Sequence, residues 1–139
     1  MNLSEHFTLE EFTFTIHRNI DNTPTVDMVE QLSKTARSLE RVRMLLQAPI
    51  TVNSAYRSPE LNKAVGGSPK SQHTKGQAVD FTAKAFGTPD QIVQAIYNSH
   101  IKFDQLIREY DRWVHISFSE KPRGEVLIID KKGPRFYGT

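Results

Sequence analysis

The chain has 139 residues, a formal net charge of +2 and no cysteine. The length fits a single domain, and the lack of cysteine excludes disulfides and thiolate metal ligands, so that any zinc must be held by His, Asp or Glu. The mildly basic charge would favour contact with an anionic polymer such as a cell wall or nucleic acid, but most of the charges are interpreted as solvated surface. The sequence contains neither an RNA-binding sheet motif nor a zinc-finger pattern, so that no nucleic-acid partner is predicted.

The N-terminus is polar. Residues 1–7 (MNLSEHF) lack the apolar segment of a secretory signal, and no apolar run in the chain approaches the ~20 residues of a membrane helix. We therefore expect synthesis in the cytoplasm without a signal peptide and no insertion into a membrane.

Two helices are predicted in the first third of the chain, within residues 8–47. Residues 8–11 (TLEE) form a capping-box pattern that opens a short helix, and residues 19–24 are a polar connector. A long helix is predicted over about 26–47, ended by Pro49. Its apolar residues recur at spacings of three and four and form one stripe: Val29, Leu32, Ala36, Leu39, Val42 and Leu46. Both helices are interpreted as scaffold.

Short strands and helices follow over residues 50–130. Strands are predicted at 50–52, 78–81, 105–110, 113–118 and 126–129, with helices starting after Ser58 and Thr88. Residues 131–139 are predicted to be a short tail that packs on the sheet or lies free. Because helices come first and antiparallel strands later, the order predicts an α+β fold, with a small, mostly antiparallel sheet flanked by helices.

The first chemical motif is residues 71–80 (SQHTKGQAVD). His73 lies in a predicted loop and Asp80 on a predicted strand, and a turn at Gly76 can bring both side chains to one point. An imidazole nitrogen and a carboxylate oxygen are both good zinc ligands at ~2.0–2.2 Å. A pair with this spacing is common by chance, so that it is weak evidence by itself.

A second motif is residues 113–117 (WVHIS). Alternate residues of a strand share a face, so that Trp113, His115 and Ser117 point one way while Val114 and Ile116 face the core. His115 then faces the side where a cleft can lie. The alternative interpretation is a half-exposed strand histidine without a ligand.

A third motif is residues 54–59 (SAYRSP), where Arg57 lies between a short strand and a helix cap. Its guanidinium can hold a carbonyl or carboxylate group bidentately. The alternative for Arg57 is an ion pair at the protein surface.

Together, residues 54–59, 62–67 (NKAVGG), 71–80 and 113–115 resemble the zinc D-alanyl-D-alanine carboxypeptidases of the M15 peptidase family, above all the branch common in bacteriophages. The resemblance covers roughly residues 50–118. It implies the fold shared with the Hedgehog signalling domain, a small antiparallel sheet flanked by helices. It also implies that His73, Asp80 and His115 bind one Zn²⁺ ion and leave a fourth position for water.

The resemblance also implies a general base. In this family an acidic residue shortly before the last histidine takes a proton from water and passes it to the leaving amine. Many members place this acid three residues ahead of that histidine, where this chain has Arg112. The phage-type branch has a glutamate at the end of the preceding strand, so that Glu109 is predicted to be the base and Asp111 is the alternative.

Two residues are predicted to contact the substrate. By resemblance, Arg57 steadies the scissile carbonyl or the developing oxyanion, and Ser71 binds the terminal carboxylate or another polar group of the substrate. The implied substrate is a peptidoglycan stem peptide, cut either at the terminal D-Ala-D-Ala bond or at an internal bond such as L-Ala-D-Glu.

The expected protein is therefore a monomer with one zinc peptidase domain over residues 1–139: N-terminal helices 8–47, a catalytic core 50–130 and a tail 131–139. It would act on the cell wall after release during phage lysis, or as part of a virion. One alternative is a non-catalytic, zinc-stabilised structural or binding domain of a phage particle. Another is a nucleic-acid-binding protein, suggested only by the basic cluster Lys131, Lys132 and Arg135.

Overall fold

The computed structural model describes residues 1–137. Within this range the chain forms the predicted α+β fold, in which a six-stranded sheet is flanked by helices. The helices are α1 (Leu9–Thr13), α2 (Val26–Leu46), α3 (Pro59–Ala64) and α4 (Pro89–Tyr97). The strands are β1 (Thr51–Ser54), β2 (Ala78–Thr82), β3 (Gln105–Glu109), β4 (Trp113–Ser117), β5 (Glu125–Asp130) and β6 (Gly133–Phe136).

Local hydrogen bonds and backbone conformation fix the start of α1 and the end of α2. The capping box of α1 is confirmed, since the Thr8 hydroxyl accepts from the Glu11 amide and the Glu11 carboxylate accepts from the Thr8 amide. Helix α2 ends one residue before the predicted Gln47, which adopts a left-handed conformation (φ 54°) and donates its N–H to the Arg43 carbonyl. The apolar stripe of α2 lies in the core, with five of the six predicted residues fully buried: Leu32, Ala36, Leu39, Val42 and Leu46.

The strand order in the sheet is β1-β2-β4-β3-β5-β6. Four of the five pairings are antiparallel, which confirms the prediction of a mostly antiparallel sheet, and β3 pairs with β5 in parallel. The parallel pair arises because the connection between β4 and β5, residues 118–124, passes across the start of β3. Strand β5 then begins beside β3, with Glu125 opposite Gln105.

The predicted tail contains one more strand. Residues 133–136 pair with β5 as strand β6, and the hairpin closes at Gly133, whose φ of 86° suits glycine. The Asp130 carboxylate accepts two 2.8 Å hydrogen bonds from Arg135 across this hairpin. Pro134 argues against a strand in the sequence, but an edge strand tolerates it because one side of the strand needs no partner. The last two residues of the predicted tail, Gly138 and Thr139, lie outside the described residues.

The two faces of the sheet have different environments. One face packs into the hydrophobic core together with α2 and α4. Its buried side chains are Val79, Phe81, Leu106, Val114, Ile116 and Val126. The alternate residues of β2, β3 and β4 lie on the other face, which holds the cleft described below. Within residues 1–137, we find no helix with the length and apolar character needed to cross a membrane.

Candidate metal centre

Three polar side chains converge on the open face of the sheet. Asp80 in β2 and His115 in β4 are direct cross-strand partners, and His73 reaches them from the loop that follows α3. One ligand atom from each of the three lies within 4.8 Å of the others. All three side chains are largely buried, although each is polar. Their convergence is what a metal site requires, and it brings together the three ligands predicted from the sequence.

The distances between the donor atoms fit a single ion. His73 Nε2 lies 3.3 Å from Asp80 Oδ2, and His115 Nδ1 lies 2.9 Å from Asp80 Oδ1. The two imidazole rings meet edge to face, with centroids 5.2 Å apart. Tetrahedral zinc with bonds of ~2.0–2.2 Å separates its ligand atoms by roughly 3.3 Å. Two imidazoles and one carboxylate with an open fourth position are the donor set of a catalytic zinc site.

A backbone carbonyl orients the first histidine. His73 Nδ1 lies 2.6 Å from the carbonyl oxygen of Ala55, which can only accept a hydrogen bond. Nδ1 therefore carries the hydrogen, and the lone pair of Nε2 faces Asp80. A second partner of this kind fixes the tautomer of histidines that bind metals. His73 is thus prepared to bind an ion through Nε2.

Asp80 is ionised although it is buried. Burial opposes the charged form, but the hydrogen bond from His115 and the proximity of His73 outweigh that penalty and hold the pKa of the Asp80 carboxyl well below its usual range. The site therefore presents a full negative charge at neutral pH, which favours a cation at this point.

Glu109 lies beside the three ligands. It is the last residue of β3, two residues beyond Ile107, the cross-strand partner of His115. Glu109 Oε1 lies 3.9 Å from His115 Nδ1. Burial first, and then the charge of Asp80, raise the pKa of the Glu109 carboxyl above its ordinary value, against the opposing effect of the two histidines. A carboxyl group with a raised pKa next to a metal site suits proton transfer near neutral pH.

Asp111 is the alternative to Glu109 as general base, but its side chain points away from the candidate metal centre. Tyr110 and Asp111 form the tight turn between β3 and β4, both with positive φ (52° and 53°). The Asp111 side chain is 71% exposed, and its Oδ1 lies 3.1 Å from Nε of Arg108. Arg108 alternates with Glu109 along β3 and therefore belongs to the opposite face of the sheet. In this arrangement Asp111 is a turn residue with a surface ion pair.

Arg57, which is predicted to contact the substrate, also lies beside the candidate metal centre. Arg57 Nη2 is 3.8 Å from Asp80 Oδ2, and Arg57 Nη1 donates to Asn62 Oδ1 at 3.2 Å. The Arg57 side chain is only 19% exposed, which does not fit an ion pair at the protein surface. Gly67 makes room for this arrangement, because a Cβ at that position would collide with Asn62 Oδ1. The guanidinium is therefore held beside the three candidate metal ligands.

Asn22 holds the backbone on both sides of Arg57. Its Nδ2 donates to the carbonyls of Thr13 (2.9 Å) and Tyr56 (3.0 Å), and its Oδ1 accepts from the Ser58 amide (2.7 Å). Sequence reasoning missed this residue, because an asparagine in a polar connector has the same local pattern as one that faces solvent. Its role arises from contacts with residues 34 and 36 positions away.

Replacing Asn22 by alanine should lower the free energy of unfolding by about 2–3 kcal/mol, since it leaves buried carbonyl and amide groups without partners. Urea unfolding measures the loss. The control is Asn19→Ala, because Asn19 is exposed on the same connector and should cost far less. Equal effects of the two changes would show that Asn22 does not hold this segment.

Ser71 lines the cleft near His73. Its Oγ accepts a hydrogen bond from the His73 amide at 3.2 Å, and its carbonyl accepts one from the Thr74 hydroxyl at 2.6 Å. Ser71 therefore shapes the loop that carries His73, one of the candidate metal ligands. Its contact with a substrate stays a prediction.

A second polar cluster supports the other end of this loop. The Asp104 carboxylate accepts from Gln72 Nε2 (2.9 Å) and from Arg123 through its backbone amide (2.9 Å), Nε (3.0 Å) and Nη2 (2.7 Å). Asp104 thereby ties the histidine loop to the connection between β4 and β5. Sequence reasoning assigned no role to these three residues, which lie 19 and 32 positions apart and form no local motif.

The Asp104 cluster makes stability depend on pH. Hydrogen bonds from Arg123 keep the pKa of Asp104 well below its ordinary value. Because the folded-state pKa lies below the unfolded value of about 3.9, the stabilisation is complete above that pH and is lost as the pH falls. Asp104→Asn should lower the free energy of unfolding by about 2 kcal/mol at pH 7. The loss is smaller than for a fully buried ion pair, because the Arg123 side chain is half exposed.

The difference between the wild type and Asp104→Asn should therefore shrink between pH 5 and pH 3, as measured by urea unfolding. Glu120→Gln is the matched control, because Glu120 is exposed on the same connection. A difference that stays constant over this range would contradict an ionised Asp104 as the source of the stabilisation.

The three candidate ligands, Glu109, Arg57 and Ser71 face one open cleft of about 650 Å³. Three cationic side chains line it, Arg57, Lys70 and Arg123, together with the carboxylates Asp80 and Glu109. The candidate metal position lies in the wall of this cleft, because all three candidate ligands line it. Its chemistry suits hydrolysis of a bond held next to a Lewis acid and a carboxylate base.

Comparison with known proteins agrees with this geometry. No curated protein matches the chain. The family model described as Peptidase M15 matches residues 5–117, a range that includes His73, Asp80, His115, Arg57 and Glu109. The match covers well over half of the sequence and contains the whole candidate centre, and on this basis the chain belongs to the peptidase M15 family.

Proposed function

We propose that this peptidase is zinc-dependent and hydrolyses peptide bonds in the stem peptides of bacterial peptidoglycan. Membership of the M15 family supports peptidase activity on cell-wall peptides. The observation that carries the zinc assignment is the convergence of His73, Asp80 and His115, with an ionised carboxylate between two imidazoles. Such a mixed nitrogen and oxygen set with three protein ligands is typical of catalytic zinc.

His73 through Nε2, His115 through Nδ1 and the carboxylate of Asp80 would hold the ion. When bound, zinc polarises a peptide carbonyl and lowers the pKa of water to near neutrality. The Ala55 carbonyl keeps His73 in the required tautomer. The other steps depend on side chains of the chain itself.

Glu109 is proposed as the general base and acid. Its carboxylate, 3.9 Å from His115, takes the proton of the attacking water and then delivers it to the leaving amine. The raised pKa of Glu109 makes its carboxylate a stronger base in the first step and favours retention of the proton until the amine leaves. Ser71 in the same cleft is proposed to hold a polar group of the peptide, such as its terminal carboxylate.

Arg57 is proposed to stabilise the oxyanion. One edge of its guanidinium is held by Asn62, and Nη2 points toward the ligand cluster. A fixed cationic donor in a partly buried site stabilises the negative charge that develops on the carbonyl oxygen. A lysine could not keep this planar arrangement.

The cut is proposed at the terminal D-Ala-D-Ala bond or at an internal bond of the L-Ala-D-Glu type. The biological role is proposed as wall degradation in phage or prophage lysis, or from a virion, by a monomer with one catalytic domain. The resemblance of residues 50–118 to the phage-type branch of the family supports this role.

The test is metal analysis of the purified protein combined with digestion of purified peptidoglycan. We expect stoichiometric zinc and, by mass spectrometry, shortened stem peptides or free D-alanine. Treatment with a chelator should stop the release, and added zinc should restore it. Bound zinc without any change in the peptides would instead favour a non-catalytic structural or binding domain.

A further inference from the structure

We propose that Arg123 binds a carboxylate of the substrate peptide and so makes the enzyme select anionic peptides. The inference rests on the proposed peptidase function and adds a second anchoring point to the cleft. Arg123 lies on the connection between β4 and β5, outside the motifs that carry the family resemblance and beyond residues 5–117 of the family match.

Strand β3 gives the position of Arg123 relative to the metal ligands. Gln105, Ile107 and Glu109 alternate onto the cleft face, and Ile107 is the partner of His115. At about 3.4 Å per residue, Gln105 and Glu109 lie roughly 7 Å from Ile107 in opposite directions. Arg123 is bonded to Asp104, next to Gln105. Arg123 and the proposed base therefore lie on opposite sides of the metal centre.

The guanidinium of Arg123 is already oriented. Its Nε and Nη2 donate to the buried carboxylate of Asp104, whose side chain is 5% exposed, whereas the side chain of Arg123 is 54% exposed. Within residues 1–137, Nη1 of Arg123 has no hydrogen-bond acceptor. The edge of the guanidinium that carries Nη1 is therefore available to a ligand in the cleft, which Arg123 lines. Because the side chain is already held, binding a ligand costs little further conformational entropy.

The charge of the cleft favours an anionic ligand. Arg57, Lys70 and Arg123 outnumber the carboxylates Asp80 and Glu109 among the lining residues. A divalent cation bound at the ligand cluster would make this excess larger. The two oxygens of a carboxylate lie in one plane and can accept two parallel hydrogen bonds from the planar donor edge of arginine.

The spacing defines which carboxylate can reach Arg123. An extended peptide advances about 3.3 Å per residue, so that roughly 7 Å corresponds to two residues. Because Arg123 is bonded to Asp104, just beyond Gln105, a carboxylate about two residues from the scissile bond is the one proposed to reach Arg123 while that bond lies at the metal centre. A peptide with a glutamate residue and a free C-terminus, as in the proposed substrates, offers carboxylates of this kind.

The test uses a set of synthetic stem peptides in which each free carboxylate in turn is replaced by a primary amide. For the zinc-loaded wild type, one amidation should raise KM and the dissociation constant by at least about tenfold, with a small effect on kcat. Arg123→Gln should show the same loss on the parent peptide and no further loss when that carboxylate is amidated. Lys121→Gln, at an exposed position of the same connection, is the control and should behave like the wild type.

Arg123→Lys is measured in parallel, because it keeps a cation beside Asp104 if Arg123→Gln is unstable. It should weaken discrimination between the peptides without abolishing it. The proposal is overturned if the Arg123 variants discriminate against the same amidated peptide as strongly as the wild type. It is also overturned if calorimetry detects no preference of the wild type for any carboxylate. Lack of hydrolysis with retained, Arg123-dependent binding would contradict only the proposed peptidase function.

Discussion

Glu109→Gln is expected to lower the turnover number by about 10²–10⁴-fold while zinc stays bound, because the glutamine cannot take a proton from water. The change keeps the size of the side chain, which lies 3.9 Å from His115 and is mostly shielded from solvent. Release of peptide products measures the loss, and metal analysis of the same sample shows that the site is intact.

The matched variant is Asp111→Asn, two residues further along the chain. The Asp111 carboxylate pairs with Arg108 on the other face of the sheet, so that its loss should leave turnover nearly unchanged. Full activity in Glu109→Gln together with a large loss in Asp111→Asn would transfer the role of general base to Asp111. It would also require the turn between β3 and β4 to rearrange when substrate binds.

Asp80→Asn is expected to abolish both metal binding and hydrolysis. The substitution removes the negative charge that lies between two imidazoles, 2.9 Å from His115 and 3.3 Å from His73. A ligand that binds only the folded state stabilises it by about 4 kcal/mol at a thousandfold excess over its dissociation constant. Added zinc should therefore raise the melting temperature of the wild type and leave that of Asp80→Asn unchanged.

His100→Ala is the control for metal binding, because His100 is an exposed histidine outside the cleft. It should keep the zinc content and the zinc-dependent rise in melting temperature. If Asp80→Asn also kept both, the ion would be bound elsewhere, and the proposed centre would be wrong.

Much of the fold follows from local patterns. The cap of α1 and the stripe of α2 each depend on residues within a few positions of one another, so that propensity and periodicity predict them. The alternation in β4 also predicted correctly that Val114 and Ile116 face the core. Strand β6 was not predicted, because Pro134 argues against a strand unless the chain position at the sheet edge is known.

Some residues of the candidate centre could likewise be predicted from the sequence, and others could not. The ligand set and Arg57 could be selected from the sequence because spacing, strand alternation and family resemblance all indicated them. Asn22, Asp104 and Arg123 could not, because each acts through hydrogen bonds to residues 19 to 36 positions away. The choice between Glu109 and Asp111 was also left open by the sequence, and the opposite faces of β3 now favour Glu109.

By itself, the sequence determined the residue types able to hold a cation and the elements that carry them, because side-chain chemistry and backbone periodicity are local properties. Only the tertiary structure decided which polar groups meet. It placed His73 against the Ala55 carbonyl, directed Asp111 away from the cleft and left one edge of Arg123 available beside Asp104. The physical reason is that hydrogen bonds and ion pairs act over a few ångströms, and only the folded chain brings distant segments to that distance.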